Sequence, residues 1–131
     1  MARLLSCDTG MISDNRLLAA EKYAEKYDIT VVLKGAGTVV ANSIYTAANH
    51  TGNAGMSVGG SGDVLAGMIG AAVAQGCGLF DAACAGVYMH GLAGDIAARK
   101  LGMEAMLPRD IIGNLPDAFR ELKEKKRNMT V

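Results

Sequence analysis

The chain has no excess of charge of either sign: Lys and Arg together number 13, Asp and Glu 13, and the formal net charge is zero. That balance argues against a nucleic-acid or polyanion binder working through a bulk basic field. A long apolar run is also missing. The longest, near Val64 to Ala74, is shorter than the roughly 20 residues of a membrane-spanning helix, so no membrane partner is expected. No charged-then-apolar pattern opens the chain, so export is not expected and a cytoplasmic protein is. Cysteine is scarce and odd in number, with Cys7, Cys77 and Cys84 at no metal-like spacing. Cys77 and Cys84 lie in the apolar second half and read as buried thiols, which fits a reducing compartment. No lysine lies between Ala41 and Arg99. The glycine-rich stretch between them therefore cannot be a Walker A loop, which ends in Gly-Lys-Ser/Thr. Nor is it a dinucleotide fingerprint, because Leu65 stands where the third glycine is needed.

What is present is enough for one domain: 131 residues, half of them hydrophobic. Its centre of interest is Gly59-Gly60-Ser61-Gly62-Asp63, set directly before the apolar run. That run carries no proline and predicts a buried helix. Glycines before a helix let the backbone turn tightly and approach a ligand. The first helical N–H groups lack intrahelical partners and lie at the positive end of the helix dipole, which suits phosphate. Asp63 is then an anion beside an anion site. Two readings stand: a helix N-cap, for which Asp63 and Ser61 both qualify, or a base acting on a hydroxyl that meets a phosphoryl group. A capping box is not completed, because Ala66 stands three residues beyond Asp63.

The rest of the chain alternates in kind. Ser13 or Asp14 can cap a first helix whose Leu17, Leu18, Ala20, Tyr23, Ala24 and Tyr27 recur at helical spacing. Thr30 to Leu33 reads as a strand buried on both faces, as in a parallel sheet. Lys34-Gly35-Ala36-Gly37-Thr38 ends it, at the kind of strand end where open α/β sheets bind ligands; the plain alternative is a turn with a solvated lysine. Val39-Val40-Ala41 and Ile44-Tyr45-Thr46 predict two short strands around an Asn42-Ser43 turn. His50 sits alone in the following loop. From Phe80 to about Lys100 a second helical pattern runs, rich in small residues, with His90 as a core histidine rather than a catalyst. Leu107-Pro108 opens a last helix with Ile111, Ile112, Leu115, Phe119 and Leu122 as its inner face and a basic end.

Several linked motifs resemble the carbohydrate-kinase-like branch of the ribokinase superfamily and, within it, the ADP/ATP-dependent NAD(P)H-hydrate dehydratases. They are Val31 to Thr38, Thr51-Gly52-Asn53-Ala54-Gly55-Met56, Gly59 to Gly67, and Gly86 to Asp95. The resemblance implies an α/β fold, a partial ribokinase-like layered sandwich with a mainly parallel sheet flanked by helices. It implies an adenine nucleotide, ADP or ATP, at Lys34, Gly35, Ala36, Gly37, Thr38 and Gly62. Gly60, Ser61 and Gly62 become an anion hole, Asp63 the catalytic base and a substrate contact, and Asn53 a second substrate contact. The implied reaction phosphorylates the 6-hydroxyl of hydrated NADH or NADPH and eliminates phosphate, with Mg2+ screening the phosphates. A small-molecule kinase of the same superfamily and a non-catalytic nucleotide-binding fragment are the alternatives. The family domain is much longer, and Met1-Ala2-Arg3-Leu4 resembles the end of one of its motifs. Residues 1–131 are therefore expected to be the C-terminal portion of a single domain, one that would associate with the missing N-terminal half or form a homo-oligomer.

Overall fold

The computed structural model describes residues 15–129. Helix α1 (Arg16–Tyr27) leads into strands β1 (Val31–Leu33), β2 (Val39–Ala41) and β3 (Thr46–Ala48). Helices α2 (Ser61–Ala74), α3 (Leu79–Leu101), α4 (Pro108–Gly113) and α5 (Leu115–Met129) follow, with short 3-10 turns at Ala54–Met56 and Met103–Ala105. Asn15 caps α1 by accepting from the Leu18 N–H at 3.3 Å. The expected caps Ser13 and Asp14 lie outside the described residues, as does Cys7.

The three strands form a meander in the order β1-β2-β3, antiparallel at both pairings, with Val32 opposite Val40 and Val40 opposite Ala47. A mainly parallel sheet was expected, and among the described residues no parallel pair occurs. The connections, residues 34–38 and 42–45, are too short to carry the chain back for a parallel crossover. β3 also starts later than predicted. The Asn42 side chain accepts from the N–H groups of Ile44 (2.9 Å) and Tyr45 (2.6 Å), which holds both residues in the turn.

Period-two alternation places the sheet between helices. Val39 and Ala41 face α1, meeting Ala20 and Ala24, while Val40 faces the other way onto Leu65 of α2 and Ala83 and Val87 of α3. A third cluster joins α3 to the C-terminal helices through Met89, Leu92, Ile96, Met106, Ile111 and Ala118. α2 is apolar all round yet only half covered: Ser61 and Leu65 are buried, and Ala66, Gly67, Gly70 and Ala71 face out. The predicted buried helix is thus a surface helix with one packed side, laid on α3, and beyond Asp63 in its first turn its outer side carries only small residues. Cys77, expected to be buried, is exposed in the turn after α2, and Cys84 is half-buried. No helix among the described residues is long and apolar enough to cross a membrane.

The predicted last helix is two helices. Asn114 is buried, its N–H bonds back to Asp110 and its carbonyl accepts from Ala118, so it ends α4 and starts α5. That break resets the inward face. Ile111 and Ala118 point in, whereas Ile112, Phe119 and Leu122, expected to be inner, are exposed. α5 is tied to the end of α3 by Lys100 to Asp117 (2.5 Å) and Arg99 to Glu121 (3.1 Å).

α3 meets its neighbours through glycine. A Cβ at Gly86 would overlap Ile69 of α2, and one at Gly94 would overlap the Met56 side chain. At Gly91 it would overlap the Thr51 hydroxyl and lie 2.6–2.7 Å from the Thr51 carbonyl group. Backbone cannot move as a flexible side chain can, so Gly91→Ala should lower the unfolding free energy by about 1–3 kcal/mol, the usual cost of overpacking. Gly67→Ala, in open space on α2, should not be destabilising. Urea denaturation of both variants checks the contrast.

Candidate functional site

Two loops and one helix end meet at a cavity of about 740 Å³, within the range of small-molecule sites. The first loop is residues 34–38, at the end of β1. Gly35 and Gly37 adopt φ of +146° and +65°, which glycine alone takes without strain. Thr38 Oγ1 donates to the Gly35 carbonyl at 3.1 Å and closes the turn. From α1, Arg16 Nη2 donates to the carbonyls of Leu33 (2.8 Å) and Lys34 (2.9 Å). The loop is therefore pinned from behind, and its open side faces the cavity.

The second loop, residues 49–53, is strapped to α3. Asn49 Nδ2 donates to the carbonyls of Thr51 (3.1 Å) and Val87 (3.3 Å), and Thr51 Oγ1 donates to that of Tyr88 (2.9 Å). Asp95 accepts from the Gly52 N–H and from Asn53 Nδ2, both at 2.9 Å. Asn53 Oδ1 accepts in turn from the Gly55 N–H at 3.1 Å. Asn53 lines the cavity, with one donor and one acceptor of its amide engaged inside the protein.

The third part is the start of α2. Gly60 is its N-cap in the left-handed region at φ +94°, with no side-chain cap. Neither Ser61 nor Asp63 is therefore the N-cap. The Ser61 N–H donates to the Val58 carbonyl (3.2 Å) and the Asp63 N–H to that of Gly60 (3.1 Å). Among the described residues the Gly62 N–H has no carbonyl partner of this kind, and Gly62 lines the cavity. Lys34 Nζ lies against Gly62, where a Cβ would overlap it.

Lys34 to Thr38, Asn53, Ser61 and Gly62 all line this one cavity. Gly60 supports it from the cap position. Asp63 does not line it: the side chain is exposed on the first turn of α2, and no described side chain pairs with it. The described lining carries Lys34, His50 and His90 but no carboxylate, so with a helix N-terminus beside it the field favours an anion. His90 is buried at 7% exposure, and its Nε2 approaches the Ser61 carbonyl at 3.0 Å. Burial lowers its pKa; the Ser61 carbonyl works against this and the Lys34 charge adds to it.

Sequence reasoning passed over Arg16, Asn49 and Asp95. Asp95 ends the Gly86 to Asp95 motif, and nothing local in the sequence gives it a role. Its partners are 42 and 43 residues away, a pairing that only the folded chain displays.

Residues 1–117 match the family described as NAD(P)H-hydrate dehydratase. The chain is 44% identical over 128 residues to the bifunctional NAD(P)H-hydrate repair enzyme Nnr of Moorella thermoacetica, covering 95% of this chain and 24% of that protein. It is 41% identical over 127 residues to the ADP-dependent (S)-NAD(P)H-hydrate dehydratase of Neisseria meningitidis, covering 95% of this chain and 41% of that protein. Among solved structures, the ADP/ATP-dependent NAD(P)H-hydrate dehydratase of Bacillus subtilis, co-crystallized with ATP/Mg2+ and soaked with CoA, superposes with a TM-score of 0.86 at 26% identity. That match covers 92% of this chain and 45% of the other. The chain thus spans less than half the length of these proteins.

The strap at Asp95 has a measurable consequence. Asp95→Ala leaves the Gly52 N–H and the Asn53 amide without their acceptor and should cost about 1–3 kcal/mol of unfolding free energy. Asp95→Asn keeps one acceptor oxygen and should cost less. Denaturant unfolding of the two variants tests the order.

Proposed function

We infer the activity from one premise: the chain belongs to the NAD(P)H-hydrate dehydratase family. It carries the adenine-nucleotide side of a repair reaction on the hydrated nicotinamide ring. The nucleotide's terminal phosphoryl group passes to the 6-hydroxyl of hydrated NADH or NADPH. The ester then leaves as inorganic phosphate while a proton departs from the adjacent ring carbon, and the ring double bond returns. The observation that carries this reading is the cavity where the Lys34–Thr38 loop faces the first turn of α2 with no carboxylate in the described lining.

In this reading Lys34, Gly35, Ala36, Gly37, Thr38 and Gly62 hold the nucleotide, ADP or ATP. The start of α2 receives its phosphates through the Gly62 N–H, with Gly60 shaping the turn and Ser61 contributing its hydroxyl. Asp63 takes the proton of the substrate hydroxyl. It sits three residues past the cap, where the helix dipole favours a carboxylate, and its exposure lets the hydroxyl arrive from outside the cavity while the phosphates lie within. Asn53 stands on the substrate side. Among the described residues no three His, Cys, Asp or Glu side chains form a metal site. Mg2+ commonly binds through substrate phosphates with one or two carboxylates, so here it would be held chiefly by the nucleotide and would screen its charge. The larger assembly we propose is a single ribokinase-like domain of which this chain is the C-terminal portion. Its mainly parallel sheet would continue past β1, whose outer edge pairs with no described strand, and the remaining portion, or a second copy, would complete it. The described cysteines are free thiols, in keeping with a cytoplasmic place.

Two variants test this. Asp63→Asn keeps the shape but not the basicity, and should lower turnover about 10²–10⁴-fold, the usual contribution of a general base, with nucleotide affinity little changed. The measurement is recovery of NADH absorbance from the hydrate with nucleotide and magnesium, using the chain alone and together with the portion its longer relatives carry in addition. Wild-type turnover by Asp63→Asn would leave Asp63 as a helix-end charge only. Gly62→Val drives a side chain into Lys34 Nζ and should weaken ATP and ADP binding in calorimetry. Equal affinity would remove the first turn of α2 from the phosphate site.

A further inference from the structure

We propose that His90 is a positioning residue that turns the Ser61 hydroxyl into a hydrogen-bond donor for a bound phosphate. The proposal rests on reading the cavity as a nucleotide site and assigns the part of that site that the backbone leaves unfilled.

The Ser61 backbone N–H is already committed to the Val58 carbonyl at 3.2 Å. Ser61 lines the cavity, so it reaches an anion there only through its hydroxyl. A hydroxyl has one proton to donate, and its partner decides where that proton goes. His90 Nε2 lies 3.0 Å from the Ser61 carbonyl oxygen and 3.3 Å from Ser61 Oγ. A carbonyl oxygen only accepts. A bare Nε2 at 3.0 Å would set two lone pairs against each other, so Nε2 carries the proton. A protonated ring nitrogen cannot accept from Oγ. The second contact is therefore Nε2–H shared toward an Oγ lone pair, and the Oγ–H is left without an acceptor among the described residues. It is free for a phosphate oxygen in the cavity. Gly62 and Lys34 line the same cavity, with Lys34 Nζ against Gly62.

The same bond braces the helix end. His90 stands on α3 and holds the first residue of α2. Gly60 offers no side-chain cap. Burial of the ring, and after it the nearby Lys34 charge, lower the His90 pKa, with the Ser61 carbonyl acting the other way.

The test combines a spectroscopic readout with a binding cycle on the full chain. Nitrogen-15 spectra of the His90 ring should show a protonated Nε2 and a bare Nδ1; the opposite tautomer overturns the proposal. In calorimetry with ATP and magnesium, Ser61→Ala and His90→Ala should each weaken binding about tenfold, roughly the worth of one hydrogen bond to a charged group. The double variant should be little weaker than either single one, because both remove the same donor. His90→Gln, whose amide can also donate to the Ser61 carbonyl, should bind nearly as the wild type does. Losses that multiply in the double variant, or wild-type affinity in His90→Ala, overturn the role. If His90→Ala does not fold, Ser61→Ala bound as tightly as wild type overturns it equally. An unmodified chain that binds no nucleotide removes the functional reading and the role together. That outcome differs plainly from failure of the role alone, in which wild type binds and the variants match it.

Discussion

β2 is the strand that both layers of helices share. Val39 and Ala41 are closed by α1, and Val40 by α2 and α3. A three-residue strand buried on both sides has no tolerance for a register shift, since a slip of one residue would exchange the two faces. This fixes where β1 ends and hence where Lys34 and its loop emerge. It also fixes the seat of Leu65, one turn into α2, and with it the height of the Gly60 cap above the sheet. The cavity is the gap left between these two consequences of one strand.

The site gains its character from what supports it. Its walls are loops, and loops hold a shape only when their polar groups are satisfied. Arg16 does this for the end of β1, Thr38 for its own turn, and Asn49, Thr51 and Asp95 for the second loop. The carboxylate nearest the second loop is thereby spent on backbone and amide groups. The cavity keeps one ammonium and one helix end as its main sources of field, with no described carboxylate in its lining to oppose them.

Much of this was legible in the sequence because it is local. The strand at Val31 to Leu33, the loop at Lys34 to Thr38 and the start of α2 after Gly60 are each specified by adjacent residues, and the structure brings two of them to the same cavity. The errors are where local pattern meets tertiary context. Thr46 to Ala48 replaced Ile44 to Thr46 because a single Asn42 side chain took two N–H groups. Ile112 and Phe119 turned outward because Asn114 interrupted a helix whose periodicity looked continuous. α2 looked buried because hydropathy does not record that its outer side chains are too small to need cover. Asp95 and Arg16 act on partners distant in sequence, and periodicity carries no trace of them.

The glycines inside α3 bear on how the molecule comes apart. Gly86, Gly91 and Gly94 each weaken the helix by about 1 kcal/mol relative to alanine, and all three are buried against neighbours. Alone, this stretch would fray at its middle. In the protein it is helical because α2, Thr51 and Met56 press on it, and Thr51 and Met56 also line the cavity. Opening the site by loosening the second loop would also remove the reason for α3 to stay wound. The cavity wall and the core should therefore melt as one cooperative unit, with amide protons in residues 49–53 exchanging along with those in the centre of α3.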